Sequence, residues 1–400
     1  MQLLLRDEAV SGKFLIAAAA IALVITNSSW REAYEGFWQH HFYIGLGDWG
    51  ISETFKHWID EGLMSIFFLV VGLEVKREII RGELQTLRAA SLPIMAAVGG
   101  MVVPILIYMS LNAGGAGFHG WGIPMTTDTA LAIGVLALLG DRVPSTLKIF
   151  LLAVMVADDI GAIATIAIFY NHDIQVMPLL IAAGVLATIL IAQWVKMLRL
   201  TTFVFLGICL WLAIHASGVH ASIAGAILGL AAPIVPRTRK ITRRAIAERL
   251  ERSLIPVTTF VIIPLFALAN TGVVLNLGVF EDNAAARVGA GIVGGLIVGK
   301  VVGILLGSWV AVKLLGITPL PRDVRWGHVL GAGLLAGIGF TLSIFIAELS
   351  FGTSEYIDAA KISIFGASIV SALVGMFVLW RQPRHHQRSQ KSPAQLMTDS

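Results

Sequence analysis

Twelve continuous apolar runs succeed one another along this 400-residue chain, at about 12–27, 59–79, 91–111, 121–139, 147–170, 177–195, 202–215, 219–235, 253–274, 287–309, 327–347 and 356–380. A run of about 20 apolar residues is what a helix needs to cross a bilayer. A membrane β-barrel would instead alternate apolar and polar residues in short segments, whereas these runs are unbroken and rich in Leu, Ala, Ile and Gly. Only 14% of the residues are charged, against about 25% in a soluble globular chain. The pattern predicts an all-α polytopic membrane protein of about twelve helices. The seventh and eighth runs are short enough to be read as one.

The distribution of basic residues supports that count. With the N-terminus placed in the cytoplasm, 24 of the 29 Lys and Arg fall on the cytoplasmic side. Arg31, Lys56, Arg287 and Lys361 fall on the other, and Lys300 lies in mid-span. Positive residues concentrate on the cytoplasmic side, so both termini are expected there. A sequence pI near 9.3 then reflects orientation in the membrane rather than nucleic-acid binding. The N-terminus lacks a signal-peptide cleavage pattern, so the run at 14–26 is expected to belong to the first span. The single cysteine, Cys209, permits no intramolecular disulfide. One integral membrane domain is expected over 1–384, with a polar cytoplasmic tail over 385–400.

Four charged residues lie deep inside apolar runs: Asp128, Asp158, Asp159 and Lys300. Each costs roughly 2.5–3.5 kcal/mol at a helix centre, and such residues mark ion or proton paths. A structural Asp–Lys pair would need only one of the three acids. Asp158 and Asp159 are adjacent, so a helix presents them about 100° apart. Two close carboxylates cannot both ionise cheaply, and either a proton or a small hard cation relieves them. That competition is the least machinery an exchanger of cations for protons requires. Lys300 is expected to pair with Asp158 when the site is empty and to release it when ions bind.

Asp128 follows Pro124, Thr126 and Thr127. Proline lacks a backbone donor, and threonine hydroxyls compete with helical bonding, so a helix broken near 126–129 is expected. A second weak point combines Gly331, Gly333, Gly337 and Gly339 with Thr341 and Ser343, although each glycine alone would equally serve close helix packing. Irregular backbone at this depth must be buried or line a cavity. Asp128 then neutralises exposed helix N-termini, and Lys300 the C-terminal ends. Two interrupted spans in separate halves of a chain point to a transporter site.

From residue 62 to 381 the chain resembles the NhaA-type sodium/proton antiporter family. FFLVVGLEVKRE at 67–78, TTDTALAIGV at 126–135, VADDIGAI at 156–163, SGVHASIAG at 217–225, PLFALANTGV at 264–273 and GIGFTLSIFIA at 337–347 carry the resemblance. That family is itself a standard example of inverted-repeat transporters with broken helices. The resemblance implies twelve helices with an inverted-topology repeat, spans three to five mirroring ten to twelve, and broken, crossing spans four and eleven. Asp158 and Asp159 become the site for Na+, Li+ and H+, with Asp128 and Lys300 balancing the helix ends and Thr127, Thr341 and Ser343 lining the breaks.

The resemblance also implies electrogenic exchange of Na+ or Li+ for more H+, driven by the proton-motive force and activated at alkaline pH, in pH and sodium homeostasis. The pH response maps onto Glu74, Lys76, Arg77, Glu78, His220 and Glu251, and Glu61 matches a further acidic position. From the residues alone, positions 74–78 read equally well as an exposed ion-pair cluster and His220 as a packed histidine. Ile255 stands where the family's better-known pattern carries a histidine, so the resemblance does not imply identical tuning of that response. The turn over 42–49 resembles the family's β-hairpin that joins two protomers, implying a homodimer. A bacterial inner-membrane location follows, with lipid around the protein and no cofactor, enzymatic chemistry or nucleic-acid partner.

Three other classes fit less well. A sodium-coupled organic-solute symporter needs neither the adjacent acids nor the mid-span lysine. An intramembrane aspartyl protease gives Lys300 and Asp159 no role, and no selectivity filter of a channel is visible.

Overall fold

In a bilayer a peptide group is satisfied only within its own helix or a closed barrel, so continuous apolar runs become helices. The computed structural model describes residues 2–46, 49–171, 174–195, 198–234, 246–352 and 355–383. Six helices are long and apolar enough to cross a membrane: Leu87–Asn112, Ser145–Phe169, Val176–Trp194, Ile246–Asn270, Asn283–Leu314 and Tyr356–Arg381. Three bent pairs raise the number to as many as nine. The other three expected spans fall on Met64–Arg81, which Asp60 and Glu61 precede, and on the short helices Leu200–His215 and Ser222–Ala231.

One bent pair turns by 115° between Gly12–Thr26 and Arg31–Gln39. The other two fall where interrupted spans are expected: Ala116–Met125 with Thr129–Leu138, bent by 43°, and Trp326–Ala336 with Phe340–Phe351, bent by 46°. Among the described residues the strands form one antiparallel hairpin, His41–Leu46 with Trp49–Thr54, in register from His41↔Thr54 to Leu46↔Trp49. The basic stretch 237–244, Lys196 and the tail 385–400 lie outside the described residues.

The exterior is apolar. Leu180, Ile191, Phe205, Ile208, Leu373 and Phe377 are each more than half exposed, a surface that a water-soluble monomer does not carry. The polar and charged side chains of the breaks are the buried ones. Where hydrocarbon surrounds the protein, helices associate through small residues that let backbones touch. A β-carbon on Gly99, in Leu87–Asn112, would collide with the Gly303 carbonyl, and one on Gly303 with that of Gly99. Gly225 and Gly229, in Ser222–Ala231, sit equally close to the Ser65 and Leu69 carbonyls. The first contact fixes the depth of Lys300 beside the broken helices.

Candidate functional site

The two breaks cross and complete each other. Thr126 and Asp128 are extended, both are buried together with Thr127 between them, and the three meet Gly337–Gly339. The Asp128 N–H donates to the Ile338 carbonyl at 2.6 Å, and the Thr127 hydroxyl to the Ala336 carbonyl at 2.8 Å. The Ser343 hydroxyl donates to the Ile123 carbonyl at 2.9 Å and lies 3.1 Å from the Thr126 hydroxyl. A broken helix leaves carbonyls without partners, and here each break supplies donors to the other.

Asp128 serves two helix starts at once. Its carboxylate caps Thr129–Leu138 by accepting the Leu131 N–H at 2.9 Å. It also accepts the Thr341 N–H at 3.0 Å and the Thr341 hydroxyl at 2.6 Å, at the start of Phe340–Phe351. The neighbouring Phe340 N–H reaches the Ser368 hydroxyl at 3.3 Å. A carboxylate beside exposed amide donors and two positive helix ends is stabilised by both.

Lys300 faces the opposite kind of terminus. Its ammonium donates to the Met125 carbonyl, the last residue of Ala116–Met125, and to both Asp158 oxygens at 2.8 and 3.0 Å. The lysine follows a π-helical stretch, Gly294–Gly299, of a kind frequent at functional sites. Lys300 is 1% exposed, Asp158 3% and Asp159 5%. Asp159 is one residue along the Ser145–Phe169 helix, and its carboxylate has no hydrogen bond or ion pair among the described residues. The site thus sets the buried Asp158–Asp159 pair beside one ammonium, with the buried Asp128 carboxylate at the two helix starts. No group of three or more His, Cys, Asp or Glu side chains forms a metal cage among the described residues.

The family model for Na+/H+ antiporter 1 matches residues 2–379. The chain belongs to this family. It is 42% identical over 374 residues to the Na+/H+ antiporter NhaA 2 of Clostridium beijerinckii, covering 94% of this chain and 92% of that one. It is 40% identical over 414 residues to NhaA of Koribacter versatilis, covering 94% and 90%. The figures for NhaA of Helicobacter pylori are 40% over 415 residues, with 94% of each covered. The protein is therefore a multi-pass membrane protein of the NhaA-type antiporters, a transporter family rather than a family of catalytic enzymes.

The residues that the family resemblance assigns to pH response do not form one cluster. Arg77 pairs with Glu251, and beside them Arg81 pairs with Glu248 at 2.8 Å. The Glu78 carboxylate accepts the Glu83 N–H at 2.6 Å. Lys76 donates to the Ala232 carbonyl at 2.6 Å, where Ser222–Ala231 ends. The other end of that helix is held by Glu61, which accepts the Ala221 N–H and lies 2.8 Å from His220 Nδ1. Glu74 is near enough to Asp159 to repel it electrostatically.

Several contacts had no sequence signal. Met125 contributes a backbone carbonyl, which any residue type could supply. Ser368 is one serine among several in its helix. Lys56 and Lys361 both bind Glu348, at 2.8 and 2.7 Å, and they are two of the four basic residues on the sparsely charged side.

Proposed function

We propose that this chain exchanges Na+ or Li+ for a larger number of H+, electrogenically, driven by the proton-motive force and activated as pH rises. The observation that carries the reading is the contrast between neighbours: Asp158 is held by Lys300, and Asp159 is buried with no such bond among the described residues. Three carboxylates and one ammonium leave two excess negative charges when all are ionised, which a buried site does not tolerate uncompensated. Protons compensate them in one state and a cation in the other.

A cation arriving at Asp159 draws Asp158 into its coordination and displaces Lys300 from it. Bound protons leave as the charge enters. The adjacent acids titrate as a pair, so the protons belong to the site as a whole. Asp128 stays with the two helix starts, and Thr127, Thr341 and Ser343 keep the breaks polar without adding charge. Glu74, Lys76, Arg77, Glu78, His220 and Glu251 couple the site's availability to pH through the ends of the Met64–Arg81 and Ser222–Ala231 helices.

In the proposed setting the protein has twelve spans with an inverted repeat, forms a single transporter domain over 1–384, and lies in a bacterial inner membrane with both termini cytoplasmic. The uneven distribution of Lys and Arg supports that orientation. The two-stranded hairpin His41–Leu46/Trp49–Thr54 supports a homodimer, because a sheet this small presents strand edges to a partner. Sodium and pH homeostasis is the physiological role.

The test is cation-induced proton movement in everted membrane vesicles with an imposed pH gradient, from neutral to alkaline pH. Na+ and Li+, but not K+, are expected to collapse the gradient at alkaline pH, and Asp159→Asn is expected to be silent. A wild type without cation response at any pH overturns the reading and leaves organic-solute symport to be tested next.

A further inference from the structure

The first half of the first broken span, Ala116–Met125, is a 3-10 helix of ten residues. Such helices seldom exceed three or four residues because their hydrogen bonds are poorly aligned, so this one needs support from outside. Two buried tyrosines give it. Tyr108, in Leu87–Asn112, donates its hydroxyl to the Gly117 carbonyl at 2.6 Å. Tyr170, the residue that ends Ser145–Phe169, accepts the Gly122 N–H at 3.1 Å and donates to the His119 carbonyl at 3.0 Å. One phenol thus bridges a donor and an acceptor three residues apart, replacing part of what the 3-10 geometry bonds badly.

The glycines make room for this. A β-carbon on Gly122 would lie 2.6 Å from the Tyr170 oxygen, and one on Gly120 would lie 2.5 Å from that of Tyr108. Trp121 packs edge-on against Phe169, with centroids 5.0 Å apart. The segment is therefore fastened to the helix that carries Asp158 and Asp159, and also to the helix that precedes it. At its far end, Met125 presents its carbonyl to Lys300 and Ile123 presents its own to Ser343.

We propose that Tyr170, supported by Tyr108, is a positioning residue for ion exchange: its phenol holds Ala116–Met125 so that the Met125 carbonyl shares Lys300 with Asp158. The inference rests on the antiport reading above. Its direction follows from the sharing. When the segment drifts, Lys300 loses a neutral acceptor and rests more fully on Asp158, and a cation must then displace a tighter ion pair. Cation binding weakens while the turnover of loaded protein is kept.

Tyr170→Phe removes both hydrogen bonds and retains the ring. Assayed in everted vesicles, it is expected to raise the apparent KM for Na+ about fivefold, as the loss of a buried hydrogen-bonding group does, with maximal rate within about twofold. Amide hydrogen exchange over residues 116–125 is expected to quicken in the same variant, while the Tyr356–Arg381 helix is unchanged. A general loss of structure would quicken both. Tyr108→Phe tests the same segment from its other support and carries the experiment if Tyr170→Phe does not reach the membrane. An unchanged KM and unchanged protection, or a fall in maximal rate at constant KM, overturns the inference while antiport stands. A wild type that moves no protons in response to Na+ overturns the antiport reading itself, and the inference with it.

Discussion

The two broken helices have nearly the same bend, yet their breaks are chemically unlike. The first, at Thr126–Asp128, carries a carboxylate and ends its leading half on the Met125 carbonyl, which Lys300 holds. The second, at Gly337–Gly339, carries no charge. Its open carbonyls, on Ala336 and Ile338, are met by the neutral Thr127 hydroxyl and Asp128 N–H. One charge suffices for two helix starts because the crossing brings both to Asp128. The first break thus touches the Lys300–Asp158 pair directly, whereas the second reaches it only through the first, by neutral hydrogen bonds and by the Thr341 donors on the Asp128 carboxylate. Substitutions at the first break should therefore disturb ion affinity and stability together, and those at the second mainly stability.

The largest effect is expected for Asp128→Ala. It leaves three buried donors, the Leu131 N–H, the Thr341 N–H and the Thr341 hydroxyl, without an acceptor. Each such group costs about 1–3 kcal/mol, so a loss of about 3 kcal/mol or more is expected where the three costs add. Thermal unfolding of the purified protein in detergent reads this loss. Asp128→Asn keeps an acceptor and should recover part of it. If the alanine variant melts with the wild type, the shared cap does not hold the crossing together.

Gly337→Ala tests the uncharged break. Its new β-carbon would run into the Leu296 carbonyl and lie 2.7 Å from the Ser371 hydroxyl. Overpacking of this kind costs about 1–3 kcal/mol. The expected outcome is lower thermal stability and lower maximal exchange, with the apparent KM for Na+ unchanged. A raised KM would show that the second break reaches the ion pair after all, and the contrast between the two breaks would fail.

The sequence made the charged centre legible for an energetic reason. Asp128, Asp158, Asp159 and Lys300 are costly in apolar runs, and any arrangement that keeps them must bring them together. The breaks were legible because Pro124, the threonines and the glycines weaken a helix wherever it folds. The number of spans was harder to read. Ser222–Ala231 is only ten residues long, and Lys76 of the Met64–Arg81 helix and Glu61 just before that helix serve its ends, an arrangement that depends on packing rather than on its own residues. Tyr108 and Tyr170 were hidden for the same reason. In an apolar run a tyrosine looks like any buried aromatic, and the carbonyl its hydroxyl finds is decided by the fold. Lys56, Lys361 and Glu348 each sit near the end of a run and read separately as solvated charges, although together they form a partly buried cluster.

The smallest effect, and the one that separates the two breaks most finely, is expected for Ser343→Ala. The serine belongs to the second broken helix, but its hydroxyl serves the first, donating to the Ile123 carbonyl and meeting the Thr126 hydroxyl. Its removal leaves the Ile123 carbonyl with the Thr126 hydroxyl as a longer donor, at 3.4 Å. Part of the loss is therefore made good, and a cost of about 1 kcal/mol is expected. Thr126→Ala alone should cost a similar amount, but the double substitution strands the Ile123 carbonyl completely. In a double-mutant cycle on thermal stability the pair should then lose more than the sum of the singles, by about 0.5 kcal/mol or more. Additive losses would mean that neither hydroxyl substitutes for the other, and that backbone contacts alone carry the joint between the breaks.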